Sequence, residues 1–160
     1  MGTTYRTSRN LEASIIDHLT TNFNADWSNV NVEKAFARVY DIDLPTICIR
    51  ANNTSHNKVE LGGDSTIRTV QILIDIFATS DGQKLDLTDY IVEKLKAGCV
   101  YYDYVIVDGA VDSKTANGRI RVTSLEVTPI DFDTDKDRLD VHDRYRTLLT
   151  LSVSLGRVEV

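Results

Sequence analysis

Residues 67–78 read IRTVQILIDIFA, from Ile67 to Ala78, and the rest of the chain is arranged around them. Apolar and polar residues alternate with period two, the signature of a strand. Val70, Ile72, Ile74 and Ile76 share one face, which is wholly aliphatic and belongs on a core. Thr69, Gln71, Leu73, Asp75 and Phe77 share the other, a mixed face expected to be half-wet or covered by a partner. At the usual rise per residue the strand would run roughly 40 Å, long enough to extend beyond its own subunit.

Upstream, the segment 52–66 (NNTSHNKVELGGDST) is polar and reads as a long loop, with Val59 and Leu61 as a short rib. Before it, DIDLPTICIRA starts a strand at Pro45, since proline cannot donate inside a ladder; Ile47 and Ile49 share a face. Val30 to Tyr40 is also expected as a strand, with Ala35, Ala37 and Val39 on one side and Phe36 and Tyr40 on the other. Residues 1–6 are expected to be a flexible arm. A helix is expected from Thr7 or Ser8, with Leu11, Ile15, Leu19 and Phe23 as its stripe and Asn22 and Asn24 marking its stop. Trp27 is expected to plug the helix end.

Downstream, a second helix is expected with Asp86 as N-cap, Leu87, Ile91 and Leu95 as its stripe, and Gly98 as its stop. Cys99 to Val107 reads as a strand whose Tyr101, Tyr102 and Tyr104 suit a packed or interface surface. The segment 108–118 reads as a second long loop turning at Asn117–Gly118. From Arg119 to Ile130 the apolar residues change face, so a bulge is expected near Thr123. An acidic turn follows, and a last alternating strand runs from Tyr145 to Leu155. Together these elements predict one domain over residues 1–160. Its fold class is α+β: a mostly antiparallel sheet or sandwich with two helices packed on one face.

The chain has 160 residues and a formal net charge of −6, which argues against wrapping nucleic acid on a basic surface. No apolar run approaches the length of a membrane helix, and the N-terminal residues have no signal-peptide core. Cys48 and Cys99 form no CxxC and are expected as buried thiols in a reducing cytosol.

Candidate chemistry is sparse. Asp131, Asp133, Asp135 and Asp137 alternate like the opening of a calcium loop, but Lys136 stands at the sixth position and His142 at the twelfth. His18, His56 and His142 lack metal spacing. Gly62–Gly63 has no phosphate-loop frame, and no serine lies in a nucleophile elbow. No catalytic residue, metal ligand or cofactor is expected, and the chain is read as a non-enzyme.

The order of elements carries more. An amphipathic helix is followed by VEKAFARVY, then by Val39-Tyr40-Asp41-Ile42-Asp43-Leu44-Pro45 leading into Ile47 and Ile49, then by a polar loop. Thr69 to Phe77, a Leu-bearing helix and a final alternating strand complete it. This order resembles the tail terminator proteins of long-tailed bacteriophages, the group typified by the phage lambda tail terminator, over nearly the whole chain. The segment from Ala110 to Asp140 is longer than in that pattern.

The resemblance implies a structural virion protein, a ring subunit and a homo-oligomer, expected to be a hexamer. It would cap the tail tube protein, stop its polymerisation and join the tail to the head through a connector or neck protein. Genomic DNA would pass through the lumen without specific binding, and the protein would sit in the virion at the head–tail junction after assembly in the host cytoplasm, with no membrane role. The alternatives are a head-completion or neck protein of the connector and, in another class, a small-molecule-binding domain or enzyme. Within the ring reading, Arg144, Arg146, Thr150 and Ser152 on the last strand are expected to contact a neighbouring subunit or the tube. His56, Lys58, Glu60, Asp64, Asp112 and Lys114 are expected on ring-face or lumen loops. Reversing Arg144 and Arg146 to Glu is expected to abolish capping with the monomer still folded.

Overall fold

The computed structural model describes residues 6–34, 36–132 and 134–160. The expected arm over 1–5, the face assigned to Ala35, and Asp133 lie outside the described residues, as does the side chain of Ala37. The elements are α1 (Thr7–Asp26), β1 (Asn31–Glu33), a 3-10 turn (Phe36–Asp41), β2 (Thr46–Lys58), β3 (Thr66–Phe77), α2 (Asp81–Leu95), β4 (Cys99–Val107), β5 (Ala110–Ile130), a second 3-10 turn (Lys136–Arg138) and β6 (Arg146–Ser154). They form an α+β fold with one curled sheet in the order β1-β2-β3-β6-β5-β4. Only β1 pairs in parallel.

The aliphatic face of β3 lies on the core as its alternation requires. Val70, Ile72, Ile74 and Ile76 are fully buried, and Ile74 sits between Ile49 of β2 and Leu149 of β6. Leu11, Ile15, Leu19 and Phe23 of α1 and Leu87, Ile91 and Leu95 of α2 enter the same cluster. Each such side chain contributes about 1.5–3 kcal/mol by leaving water. Trp27 packs at the end of α1, edge-on to Phe23 at 6.3 Å and to Tyr90 at 5.7 Å.

α1 also closes the curl of the sheet. Glu12 Oε2 accepts the Ala51 N–H of β2 at 2.8 Å, next to the irregularity between Ala51 and Thr54. Two residues on, Ser14 Oγ accepts the Tyr102 N–H of β4 at 3.0 Å. Both side chains are buried, and they satisfy strand edges that would otherwise be open to another chain.

Several expectations are corrected. Residues 30–40 form only the three-residue β1 and then a 3-10 turn, because Phe36 and Val39 fold down onto Phe77 and Cys48 instead of joining the ladder. The loop 52–66 is mostly strand: β2 continues to Lys58, and only 59–65 connects it to β3. The loop 108–118 is a hairpin. Asp108 and Gly109, with φ of 52° and 79°, make its two-residue turn and β5 starts at Ala110. Two positive φ values match the right-handed twist of the strands they join. Asn117–Gly118 lies inside β5, where two residues face Tyr101 across a register shift and Gly118 takes φ 103°. This pair makes a bulge instead of a turn. α2 begins five residues before Asp86. Ser80 Oγ accepts the Gln83 N–H at 3.2 Å while Gln83 Oε1 accepts the Thr79 N–H at 2.8 Å, a reciprocal cap. α1 runs through Asn22 and Asn24 to Asp26. The bulge near Thr123 is present, between Val122 and Ser124.

Candidate interaction surfaces

The mixed face of β3 is covered, at its C-terminal end, by the chain itself. Asp75 is 4% exposed there. Its Oδ1 lies 3.5 Å from Arg146 Nη2 at the start of β6, and its Oδ2 lies 3.4 Å from Arg50 Nη2 on β2. Register brings these charges together: Cys48 faces Asp75, Phe77 faces Arg146, and Arg50 is two residues along the same strand from Cys48. The Arg146 guanidinium stacks 4.7 Å from the Phe77 ring and 5.6 Å from Phe36, and Arg50 lies 4.9 Å over Phe36. Burial pushes the Asp75 carboxyl up, and the two guanidiniums only partly offset it. Asp75 Oδ2 and Arg146 Nε have no hydrogen bond among the described residues.

Two irregular segments close over this cluster. Tyr40 Oη donates to Asp143 Oδ1 at 2.8 Å, and Arg146 Nη1 donates to the same oxygen at 3.2 Å. His142 bridges the Ile42 carbonyl and the Asp140 carboxylate at 2.8 and 2.9 Å.

Arg146 is therefore held inside the fold, so reversal of its charge cannot be expected to leave the monomer intact. Arg144 lies just before β6 and donates to the Leu139 carbonyl at 3.4 Å. Thr150 and Ser152 are half-buried on the outer face of β6, opposite Leu73 and Gln71 of β3.

The other expected contact residues lie on two hairpins. His56 and Lys58 are exposed on β2, and Glu60 lies in the connecting turn with Asp64. Lys58 Nζ donates to the Gly63 carbonyl at 2.6 Å, and Leu61 at the tip is fully exposed. Asp112 and Lys114 lie on β5, where Lys114 reaches Asp17 Oδ2 of α1 at 2.6 Å and stacks 4.5 Å over Tyr102. These two residues line an open groove of about 610 Å³ between α1 and the β4–β5 hairpin, floored by Ala13, Ile16, Tyr104 and Val111.

β5 leaves a free edge. Cys99 of β4 faces Ile120 and Ser154 of β6 faces the adjacent Arg121, positions too close for both strands to share one side of β5. Among the described residues, 122–130 are thus paired to β6 alone. Val127, in line with the buried Leu149 and Ile74, is still 45% exposed because the next strand is missing.

Cys48 and Cys99 are buried free thiols, and burial pushes both up to about 11. His18 meets the Lys94 carbonyl at 2.9 Å, far in the chain from the sites of His56 and His142. Among the described residues no group of three His, Cys, Asp or Glu is placed to hold a metal ion. Asp131, Asp135 and Asp137 are exposed, and among the described residues no helix is long and apolar enough to cross a membrane.

The Asp75–Arg146 cluster was missed in the sequence, although one signal was present: a lone carboxylate in an aliphatic strand needs a cation. No family model matches the chain, and no curated protein matches it.

Proposed function

We propose that this chain is a tail terminator of a long-tailed bacteriophage, a ring subunit that caps the tail tube protein and presents the surface to which the head connector attaches. The order of elements along the chain supports the reading. The observation that carries the assembly half of it is the free edge of β5. The strand has 21 residues, its outer half is paired on one side only, and Val127 at the margin of the core is exposed. An open edge of this length invites a further strand, and head-to-tail joining of identical subunits closes such edges in a ring.

In this reading the β2–β3 hairpin, with His56, Lys58, Glu60 and Asp64, reaches a neighbouring subunit or a ring face. Arg144, Thr150 and Ser152 are offered to a neighbour or the tube. The net charge of −6 suits a lumen through which DNA passes without being held.

The test is to mix the purified protein with polymerisation-competent tail tube protein and image the product by negative-stain electron microscopy. A ring at one end of each tube, with growth stopped there, is expected. Normal growth with bare ends would sink the terminator reading, and capture by head connector proteins would then identify a neck protein.

A further inference from the structure

The His142 imidazole is boxed by acceptors. Nε2 lies 2.8 Å from the Ile42 carbonyl and Nδ1 lies 2.9 Å from Asp140 Oδ1. A carbonyl and an ionised carboxylate can only accept, so both ring nitrogens are satisfied only when both carry a proton. The residue is 9% exposed, and Ile42 is 100 residues away in sequence, so the contact ties two distant segments.

We infer that residues 36–44 form a strap over the sheet whose closure is set by the charge on His142. At its two ends the strap is also tied by the Asp43 carbonyl, which accepts from Asn31 Nδ2 at 2.9 Å and Thr46 Oγ1 at 2.8 Å, and by Phe36 packed on Phe77. Tyr40 Oη donates to Asp143, its ring lies 5.5 Å from the His142 ring, and Val39 and Leu44 join Cys48 and Phe77 in a small cluster separate from the main core. Beneath it lie Asp75, Arg50, Arg146 and the Phe77 ring, so opening would bare a charged and aromatic patch.

The groups facing His142 favour the proton. Burial opposes the charge, but the Ile42 carbonyl, Asp140 and Asp143 together outweigh it and raise its pKa above 6.5. From the strap side Tyr40 faces the ring, and its own ionisation is pushed up by burial and by Asp143. Arg146 of β6 contacts Asp143, Arg144 acts on Asp140, and Asp75 and Arg50 stand one layer below. A raised histidine pKa holds the strap below 6.5, and the hold is lost as pH rises through the folded-state value. The strap is therefore tight below pH 6.5 and loosens as pH rises through the raised folded-state pKa, independently of any role in tail assembly.

The test is amide exchange across residues 36–44, corrected for intrinsic rates, with His142 titrated by NMR in the same samples. The Ile42 amide, bonded to the Val39 carbonyl at 3.2 Å, is the reporter. Its protection is expected to fall several-fold through the His142 titration, with the midpoint above 6.5. In His142→Gln, which keeps one donor but cannot titrate, that step should vanish. A midpoint at or below 6.5 in the unaltered protein overturns the inference, as does an unchanged step in the Gln variant. The first readout needs no variant to fold.

Discussion

The Arg146 guanidinium stands 3.5 Å from the Asp75 carboxylate with side-chain exposures of 12% and 5%. A fully stranded buried charge costs about 3–5 kcal/mol. Without Arg146, Asp75 keeps only Arg50 at 3.4 Å, so the loss should be smaller than that but still exceed the cost of replacing both partners by apolar groups. Arg146→Met should therefore destabilise more than the double variant Asp75→Leu/Arg146→Met in urea unfolding. Arg144→Glu loses one long hydrogen bond to the Leu139 carbonyl and should cost about 0.5–1.5 kcal/mol, less than Arg146→Met, which makes it the better variant for testing capping.

Glu12 joins α1 to the sheet through the Ala51 N–H at 2.8 Å, and also pairs with Lys34 at 2.7 Å. Glu12→Ala leaves that N–H without its acceptor and should cost about 1–3 kcal/mol. Glu12→Gln keeps an acceptor oxygen and should retain most of that. Equal losses in thermal melts would show that the strand edge does not depend on this bond.

Ile74 is fully buried and Val127 is 45% exposed, although both point to the same side of the sheet. Ile74→Ala should cost about 2–5 kcal/mol through lost contacts and a cavity, and Val127→Ala under about 1 kcal/mol in the monomer. A large loss at Val127 seen only at concentrations where the protein self-associates would locate an interface on β5.

A Cβ on Gly98, at φ 77°, would run into the Ile120 carbonyl, while one on Gly109 at φ 79° meets nothing within 4 Å. Both substitutions bear the left-handed penalty of about 1–2 kcal/mol. Gly98→Ala should cost clearly more because the start of β4 must shift away from β5. Urea midpoints of the two variants check the difference.

Cys48 and Cys99, raised to about 11 from 9.0, should resist aromatic disulfide reagents at pH 8 in the native state and react at once after unfolding. The fold favours the neutral thiols. Their contribution to stability is complete below pH 9.0 and is lost as pH rises through about 11, which urea unfolding between pH 8 and 11 would detect.

Much of the fold was legible where the signal is local. The alternation in β3, the stripes of α1 and α2, the stop at Gly98 and the bulge near Thr123 depend on backbone period and handedness within a few residues. Turn chemistry is less decisive: Asn117–Gly118 and Asp108–Gly109 both tolerate positive φ, and only strand pairing decides that Asp108–Gly109 reverses the chain while Asn117–Gly118 makes a bulge. α2 is capped by Ser80 and not by the expected Asp86, because both residue types can cap and only the position of the first turn decides between them. The polar residues 52–58 looked like a loop because a hairpin exposed on both faces has no hydrophobic alternation to announce it.

The sequence by itself determined which face of each long element turns inward, since a single residue's shift would carry a whole aliphatic row into water. Only the tertiary structure decided what covers the other face. Asp75, Arg146 and Arg50 meet through register between β3, β6 and β2, and His142 finds Ile42 across 100 residues. These contacts depend on long-range pairing, and the identity of one charged residue carries no information about which distant strand will lie beside it.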